Sequence, residues 1–322
     1  MIKAEFFIQL IGASFFLILN IYLAKQGLSD PEIANYISYR FLAVMLLAFP
    51  LGFYIKNKPL KPFFMLGSLG VPLVAILLIV SVENTNYQYL PLLFILWGIT
   101  FTLFQVSSLP YIMRNTVIKN QSHAISLHYA THSFGTILSG IIIFGFGEFM
   151  KQINEGVILL FIAILGFFGV YYLLKMKVDI IIPSKKGLQW KSYNWYLLLK
   201  AIIPTLIIAV GAGLTIPFMN LFFYHNFDLN SSGFAIIGGI SSVLVAVLAL
   251  LVPNIKNKLG FKKGITYTQT IAVIALIFLA TTEFFSSFWW AFPFAVVCFW
   301  IRTNAGRSRS SLRILFSLRI PE

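Results

Sequence analysis

The chain has 322 residues, of which 59% are hydrophobic and 11% charged, with a formal net charge of +14 and a mean hydropathy of +0.87. Soluble domains carry about 25% charged residues, so this supply cannot cover a water-exposed surface, and apolar runs of roughly 18 or more residues recur along the whole length. A soluble fold is excluded, and the basic residues, concentrated in short connections between apolar runs, read as topology signals rather than as a nucleic-acid surface.

An all-helical polytopic membrane protein is predicted, with ten helices at about 6–24, 33–55, 63–81, 89–112, 122–146, 155–174, 201–224, 233–253, 264–282 and 285–303. The runs are too long for barrel strands and lack their alternation. The first run also exceeds a signal-peptide core and no small-residue cleavage site follows it, so it reads as an uncleaved span. Helix 1 carries two amides, Gln9 and Asn20, eleven residues apart and therefore on nearly the same face. They line a central cavity at two depths or else hydrogen-bond across a helix interface.

Arg40 in helix 2 cannot lose its charge, and no carboxylate is placed deep in any span. It reads as the partner of an anionic group on a substrate, with snorkelling or backbone carbonyls as the alternatives. Gln105 in helix 4 is a further pathway candidate without a suggested partner. His128 and His132 in helix 5 share a face at i, i+4, whereas His123 points elsewhere. That spacing suits metal, but the further ligands of a zinc site are missing, so no metal is expected. Hydrogen bonding to substrate, proton carriage and a structural role all remain open for the pair.

Helix 7 holds Gly211, Gly213 and Pro217 followed by Asn220, a pattern that loosens the backbone for bending or packs small residues closely. All ten carboxylates lie at helix ends, in loops or at the terminus, so no buried acidic relay is expected. The single cysteine, Cys298, allows no intrachain disulfide. The chain contains no nucleotide-binding loop, and its residues assemble no nucleophile–base or metal cluster, so neither an enzyme nor a cofactor is expected.

With the N-terminus in the cytoplasm, the inside set is Lys3; Lys56, Lys58 and Lys61; Arg114 and Lys119; Lys175, Lys177, Lys185, Lys186 and Lys191; and Lys256, Lys258, Lys262 and Lys263. Only Lys25 and Lys151 fall outside, a strong positive-inside bias. The stretch 175–200, with six lysines, a proline and a glycine, divides residues 1–174 from a second set at 201–303.

Landmarks repeat across that division at an offset near 200. "IKNK" occurs at 55–58 and at 255–258, Leu28-Ser29 pairs with Leu229-Asn230, and Glu83 pairs with Glu283. Two parallel six-helix halves are the architecture of major facilitator transporters, and the chain resembles that superfamily over residues 1 to about 303. The resemblance is best in "FFIQLIGASFFLILNIYLAKQGLSDPEIANY" and "GAGLTIPFMNLFFYHNFDLNSSGFAIIGGISS". The turns after helices 2 and 8 resemble the family's Gly–x₃–Asp–Arg–x–Gly–Arg–Lys cytoplasmic motif. The second keeps Lys258, Gly260 and Lys262 with Asn257 at the acidic position; the first places Asn57 or Lys56 there, beside Lys58, and a proline follows. The resemblance implies that these corners are cytoplasmic hinges, although an amide supplies no charge for an ionic latch.

After Ile301 the basic residues switch from lysine to arginine, giving "NAGRSRSSLRILFSLRIPE". Residues 304–322 therefore read as an out-of-frame or truncated end, or else as a basic tail on the inner leaflet. The expected protein is a monomeric carrier in a bacterial inner membrane, with the lipid bilayer and a small polar or anionic solute as partners and a proton or counter-substrate as the coupled species. Nucleic acid is not expected to bind. Drug or metabolite efflux on the same fold and a non-transporting truncated protein are the alternatives.

Overall fold

The computed structural model describes residues 1–150, 153–176 and 195–317. Most of the central loop, Lys151 and the last five residues lie outside the described residues. The described chain is helical, with no strand. We number ten helical stretches among the described residues: α1 (Ile2–Lys25), α2 (Asp30–Tyr54), α3 (Lys61–Glu83), α4 (Leu90–Asn115), α5 (Ile118–Phe149), α6 (Glu155–Leu174), α7 (195–227), α8 (231–259), α9 (261–281) and α10 (Ala291–Ser317). Nine stretches of the described residues are long and apolar enough to cross a membrane.

Two compact units partition the chain: Met1–Thr131 with Asn154–Phe222, and His132–Ile153 with Phe223–Glu322. In the first, α1 is central; its most apolar stretch is 78% buried, against 17% for α2. Accordingly α2 turns Met45, Leu46 and Phe49 outward, apolar surface that a bilayer rather than water would cover. Close approach of α2 and α4 depends on Gly98, where a Cβ would fall 2.5 Å from the Arg40 carbonyl oxygen and 2.9 Å from the Ala43 Cβ. Gly98→Ala is therefore expected to cost about 1–3 kcal/mol as the helices are forced apart, read as a lower thermal-unfolding midpoint in detergent.

At one end of this unit, the Tyr22 hydroxyl donates to Glu83 Oε1 at 2.7 Å and Asn154 Nδ2 donates to the same oxygen at 3.0 Å. Lys25 pairs with Glu155 beside them. These contacts tie α1, α3 and α6 together. The second unit is built on rings: Phe223 lies 5.8 Å from both Phe234 and Phe299, and the Trp300 indole donates to the Ile237 carbonyl at 3.0 Å.

The exits of α1 and α7 match in local structure. Gly27 (φ +90°) and Asp228 (φ +49°) occupy the left-handed region, each followed by a leucine and then an N-cap. Ser29 forms a capping box with Glu32, its backbone N–H donating to Glu32 Oε2 at 2.8 Å, while Asn230 accepts from the Gly233 N–H at 2.8 Å. Leu28-Ser29 and Leu229-Asn230 thus share a capping role, as their spacing suggests.

The two IKNK runs do not share a structure. The first is a turn beyond α2, whose C-cap is Ile55. The second stays helical: the predicted stop at about 253 is corrected to a break at Gly260, φ +69°. The helix runs through Pro253, since a proline inside a membrane helix is tolerated where neighbours re-satisfy the backbone. The side chains of Asn257, Lys258 and Lys262 lie outside the described residues.

The last helix also departs from its predicted range, 285–303. A 3-10 turn spans Thr282–Phe285, and the regular helix runs from Ala291 to Ser317. Its apolar lead-in is aromatic and clusters instead of coiling: Phe285 and Phe288 sit 5.8 and 6.1 Å from Trp290.

Candidate functional site

Three polar constellations arise within the first unit, and the first is centred on Arg40. Because α2 begins at Asp30 rather than near residue 33, Arg40 lies ten residues in, about 15 Å along the helix. That places Arg40 inside the span rather than at its end. The guanidinium carbon stands 4.0 Å from the Trp97 ring centroid, with Phe101 and Phe41 at 5.5 and 5.6 Å. Stacking engages the face of the guanidinium and leaves its N–H edge free. Arg40 Nε is buried without a hydrogen-bond acceptor among the described residues, and so is the Trp97 indole N–H.

Trp97, Phe101 and Gln105 recur at i, i+4 and i+8, one face of α4. Gly12 admits this face, since a Cβ there would meet the Phe101 ring at 3.1 Å, and Phe15 packs edge-on against Trp97 at 4.6 Å. Gln9 lies three residues before Gly12 on the same helix. Gln9 and Gln105 each bury an amide nitrogen with no acceptor. Among the described residues, α1, α2 and α4 therefore carry four buried donors without acceptors: Arg40 Nε, the Trp97 indole N–H and the Gln9 and Gln105 amide nitrogens.

The second constellation joins Asn20 to Asn220. Asn20 Nδ2 donates to Asn220 Oδ1 at 3.0 Å and to the Pro217 carbonyl at 2.6 Å. Asn220 Nδ2 in turn donates to the carbonyls of Leu17 (3.2 Å) and Phe16 (3.4 Å). Both backbones are irregular here: α1 passes through a π-turn at Phe15–Leu19 and α7 through a 3-10 turn at Ile216–Phe218. The amides fill carbonyl positions that these irregularities leave open. Among the described residues no atom lies within 4 Å of a would-be Cβ at Gly211 or Gly213.

The third constellation is a correction. Glu5, which the sequence places at a helix end, is fully buried, and its Oε1 lies 2.5 Å from Nδ1 of His128. Sequence reasoning missed it because a carboxylate three residues into a helix counts as terminal unless neighbours overhang it. α6 does so: a Cβ on Gly169 would come 3.1 Å from the Ala4 carbonyl oxygen. His132 is half-buried and belongs to the second unit. Among the described residues no group of three or more His, Cys, Asp or Glu could hold a metal ion.

Arg114 is a further residue the sequence disguised, as a topology charge. Its guanidinium donates to the carbonyls of Lys58 and Ile55, both at 2.9 Å, and of Lys56 at 2.5 Å. The Lys58 ammonium sits over the Tyr54 ring at 3.1 Å. Of the first corner's candidates, Lys58 is thus engaged locally, while Asn57 is exposed.

Comparison with known proteins places the whole chain. A family model described as Major Facilitator Superfamily matches residues 4–322. No curated protein matches the sequence. Among solved structures, a variant of the nucleoside transporter NupG superposes with a TM-score of 0.74 at 16% identity, covering 99% of this chain and 83% of its own. A D-xylose-proton symporter gives 0.69 at 12% identity, covering 100% and 83%. A bacterial homolog of the human lysosomal transporter Spinster gives 0.64 at 15% identity, covering 98% and 77%. Identities this low show a shared fold and carry no substrate. The family match over almost the full length, on a helical chain with repeat-spaced landmarks, makes this protein a membrane transporter that belongs to the major facilitator superfamily.

Proposed function

We propose that the protein moves a small anionic or acceptor-rich polar solute by alternating access, with Arg40 as its principal contact. The observation that carries this reading is a guanidinium stacked on Trp97 inside an apolar helix, with its buried Nε lacking an acceptor among the described residues. A buried charge without a counter-ion costs several kcal/mol, and a ligand carboxylate or phosphate would remove that cost through bidentate hydrogen bonds. Trp97, Gln105 and Gln9 add buried donors on α4 and α1, so the ligand would be richer in acceptors than in donors.

The sequence halves 1–174 and 201–303 would rock about the cavity, with Gly211, Gly213 and Pro217 allowing α7 to bend and with the corners at Asn57–Lys58 and at 257–262 as hinges. The lysine distribution supports a bacterial cytoplasmic membrane with the N-terminus inside. Drug or metabolite efflux on the same fold is the competing reading, and the buried donors without acceptors disfavour it for neutral solutes.

The test is a binding screen of the purified chain in lipid nanodiscs against small carboxylates, phosphate monoesters and neutral analogues, read by thermal shift. At least one anion is expected to raise the midpoint, with affinity at least tenfold weaker in Arg40→Ala and partly recovered in Arg40→Lys. Response to neutral compounds alone, or anion binding unchanged in Arg40→Ala, would overturn the assignment.

A further inference from the structure

A groove lies on the surface of the first unit, where α3 ends and the chain turns into α4. It holds about 240 Å³, with walls of Leu77 and Val80 from α3, Leu92 from α4, and Tyr89 from the turn between them. All four side chains are exposed. Sites for drug-sized ligands run to roughly 300–1,000 Å³, so this groove takes a slender apolar segment rather than a ring system.

The groove continues a face of α3 that a bilayer would cover. Leu66, Leu69, Leu73, Leu77 and Val80 are all exposed and recur every three or four residues, one stripe along a span. At the end of that stripe the wall turns polar. The Asn86 N–H donates to the Ser81 carbonyl at 2.8 Å and the Thr85 N–H to the Val82 carbonyl at 3.0 Å, closing the helix with Thr85 at φ +56°. Left-handed backbone is rare for a β-branched residue, and here it folds Asn86 back beside Ser81 and Asn84 on the rim.

The donors of that rim are committed. Asn84 Nδ2 donates to the Val80 carbonyl at 2.9 Å and the Ser81 hydroxyl to the Asn86 carbonyl at 3.3 Å. The Asn84 amide therefore presents its oxygen to a ligand. Glu83, the neighbour of Asn84, is the only charged residue between Lys61 and Arg114. It accepts from Tyr22 and Asn154, both neutral, while the Lys25 ammonium pairs with Glu155. The rim thus suits a ligand end that donates hydrogen bonds and carries positive charge.

We infer that this groove binds a membrane phospholipid with a primary ammonium headgroup. One acyl chain lies against Leu77, Val80 and Leu92, and the ammonium reaches the Asn84 amide oxygen beside Glu83. A trimethylammonium headgroup carries the charge but has no N–H to donate. A glycerol headgroup leaves the phosphate charge uncompensated next to Glu83, and like charges repel. The site uses none of the residues assigned to the solute and does not depend on the transport cycle.

The test is native mass spectrometry of the full-length chain, delipidated in detergent and mixed with equal amounts of dioleoyl phosphatidylethanolamine, phosphatidylcholine and phosphatidylglycerol. One ethanolamine lipid per chain is expected to be retained, at least fivefold over either of the others. Asn84→Ala should bring that preference below twofold. Leu77→Trp, which puts an indole into the groove, should reduce retention of all three lipids at least fivefold, whereas Leu73→Trp, one turn earlier on the same stripe, should leave it unchanged. Equal retention of the three lipids by the wild type, the same preference in Asn84→Ala, or full retention in Leu77→Trp would each overturn the inference. So would a dimer that excludes lipid and is lost in Leu77→Trp, which would make the occupant a second copy of the chain. The wild-type comparison decides even if a variant does not fold.

Discussion

Arg114→Ala is expected to lower the stability of the first unit by roughly 3–5 kcal/mol and to release the turn that follows α2. One guanidinium takes three carbonyls, those of Ile55, Lys56 and Lys58, as the chain leaves the helix. Carbonyls at a helix C-terminus have no intrahelical donor and carry the negative end of the macrodipole, so a cation there gains twice. Hydrogen bonds to a charged donor contribute about 1.5–3 kcal/mol each. The sum is discounted because the Lys56 bond is exposed and the other two are part-buried. Arg114→Lys should recover less than half of the loss, since an ammonium is a point donor without the planar fork that spans several acceptors. The measurement is the thermal midpoint in detergent together with proteolysis at 55–60; equal midpoints for wild type and Arg114→Ala would remove Arg114 as the clamp. If this corner moves during transport, the variant should also change the rate of solute exchange at constant affinity.

Much of the fold was legible because its signals are one-dimensional. Membrane spans are set by runs of apolar residues, and the repeat landmarks Ser29 and Asn230, at an offset of 201, prove to be N-caps. The IKNK repeat misled because identical residues sat on different backbones. A turn follows Ile55, whereas the helix continues past Ile255 until Gly260 takes a positive φ. Aromatic content misled in the same way at 284–290, where rings stack on one another instead of marking helix.

The site was less legible, for a reason particular to membrane proteins. Exposure cannot be read from hydropathy when lipid and protein interior are equally apolar, so Glu5 and Trp97 gave no sign of burial with unmet hydrogen bonds. Arg40 was visible because a permanent charge inside an apolar run admits few explanations. The aromatic surface it stacks on comes from α4, and no spacing within α2 could have foretold it.

Asn20 and Asn220 are where sequence left two readings, pathway or interface, and the geometry makes them separable. Asn220→Ala is expected to cost about 2–4 kcal/mol, because it removes the partner of Asn20 and strands the Leu17 and Phe16 carbonyls beside a π-turn. Asn20→Ala should cost a similar amount by removing the donor to the Pro217 carbonyl and one of the two donors to Asn220 Oδ1, which keeps the Leu221 N–H. Interhelical hydrogen bonds in membranes are worth about 0.6 kcal/mol on average and up to about 1.7, so a reciprocal pair on irregular backbone belongs at the upper end. The double variant should therefore cost about 1–2 kcal/mol less than the sum of the two single ones, which is the coupling energy of the pair. Additive losses, with zero coupling, would mean that the amides do not act as a pair. Near-wild-type stability in all three variants, with solute affinity reduced, would move both residues into the pathway. In the expected outcome the amides hold α1 against α7 where both helices leave regular geometry, and recognition of the solute falls to the donors around Arg40.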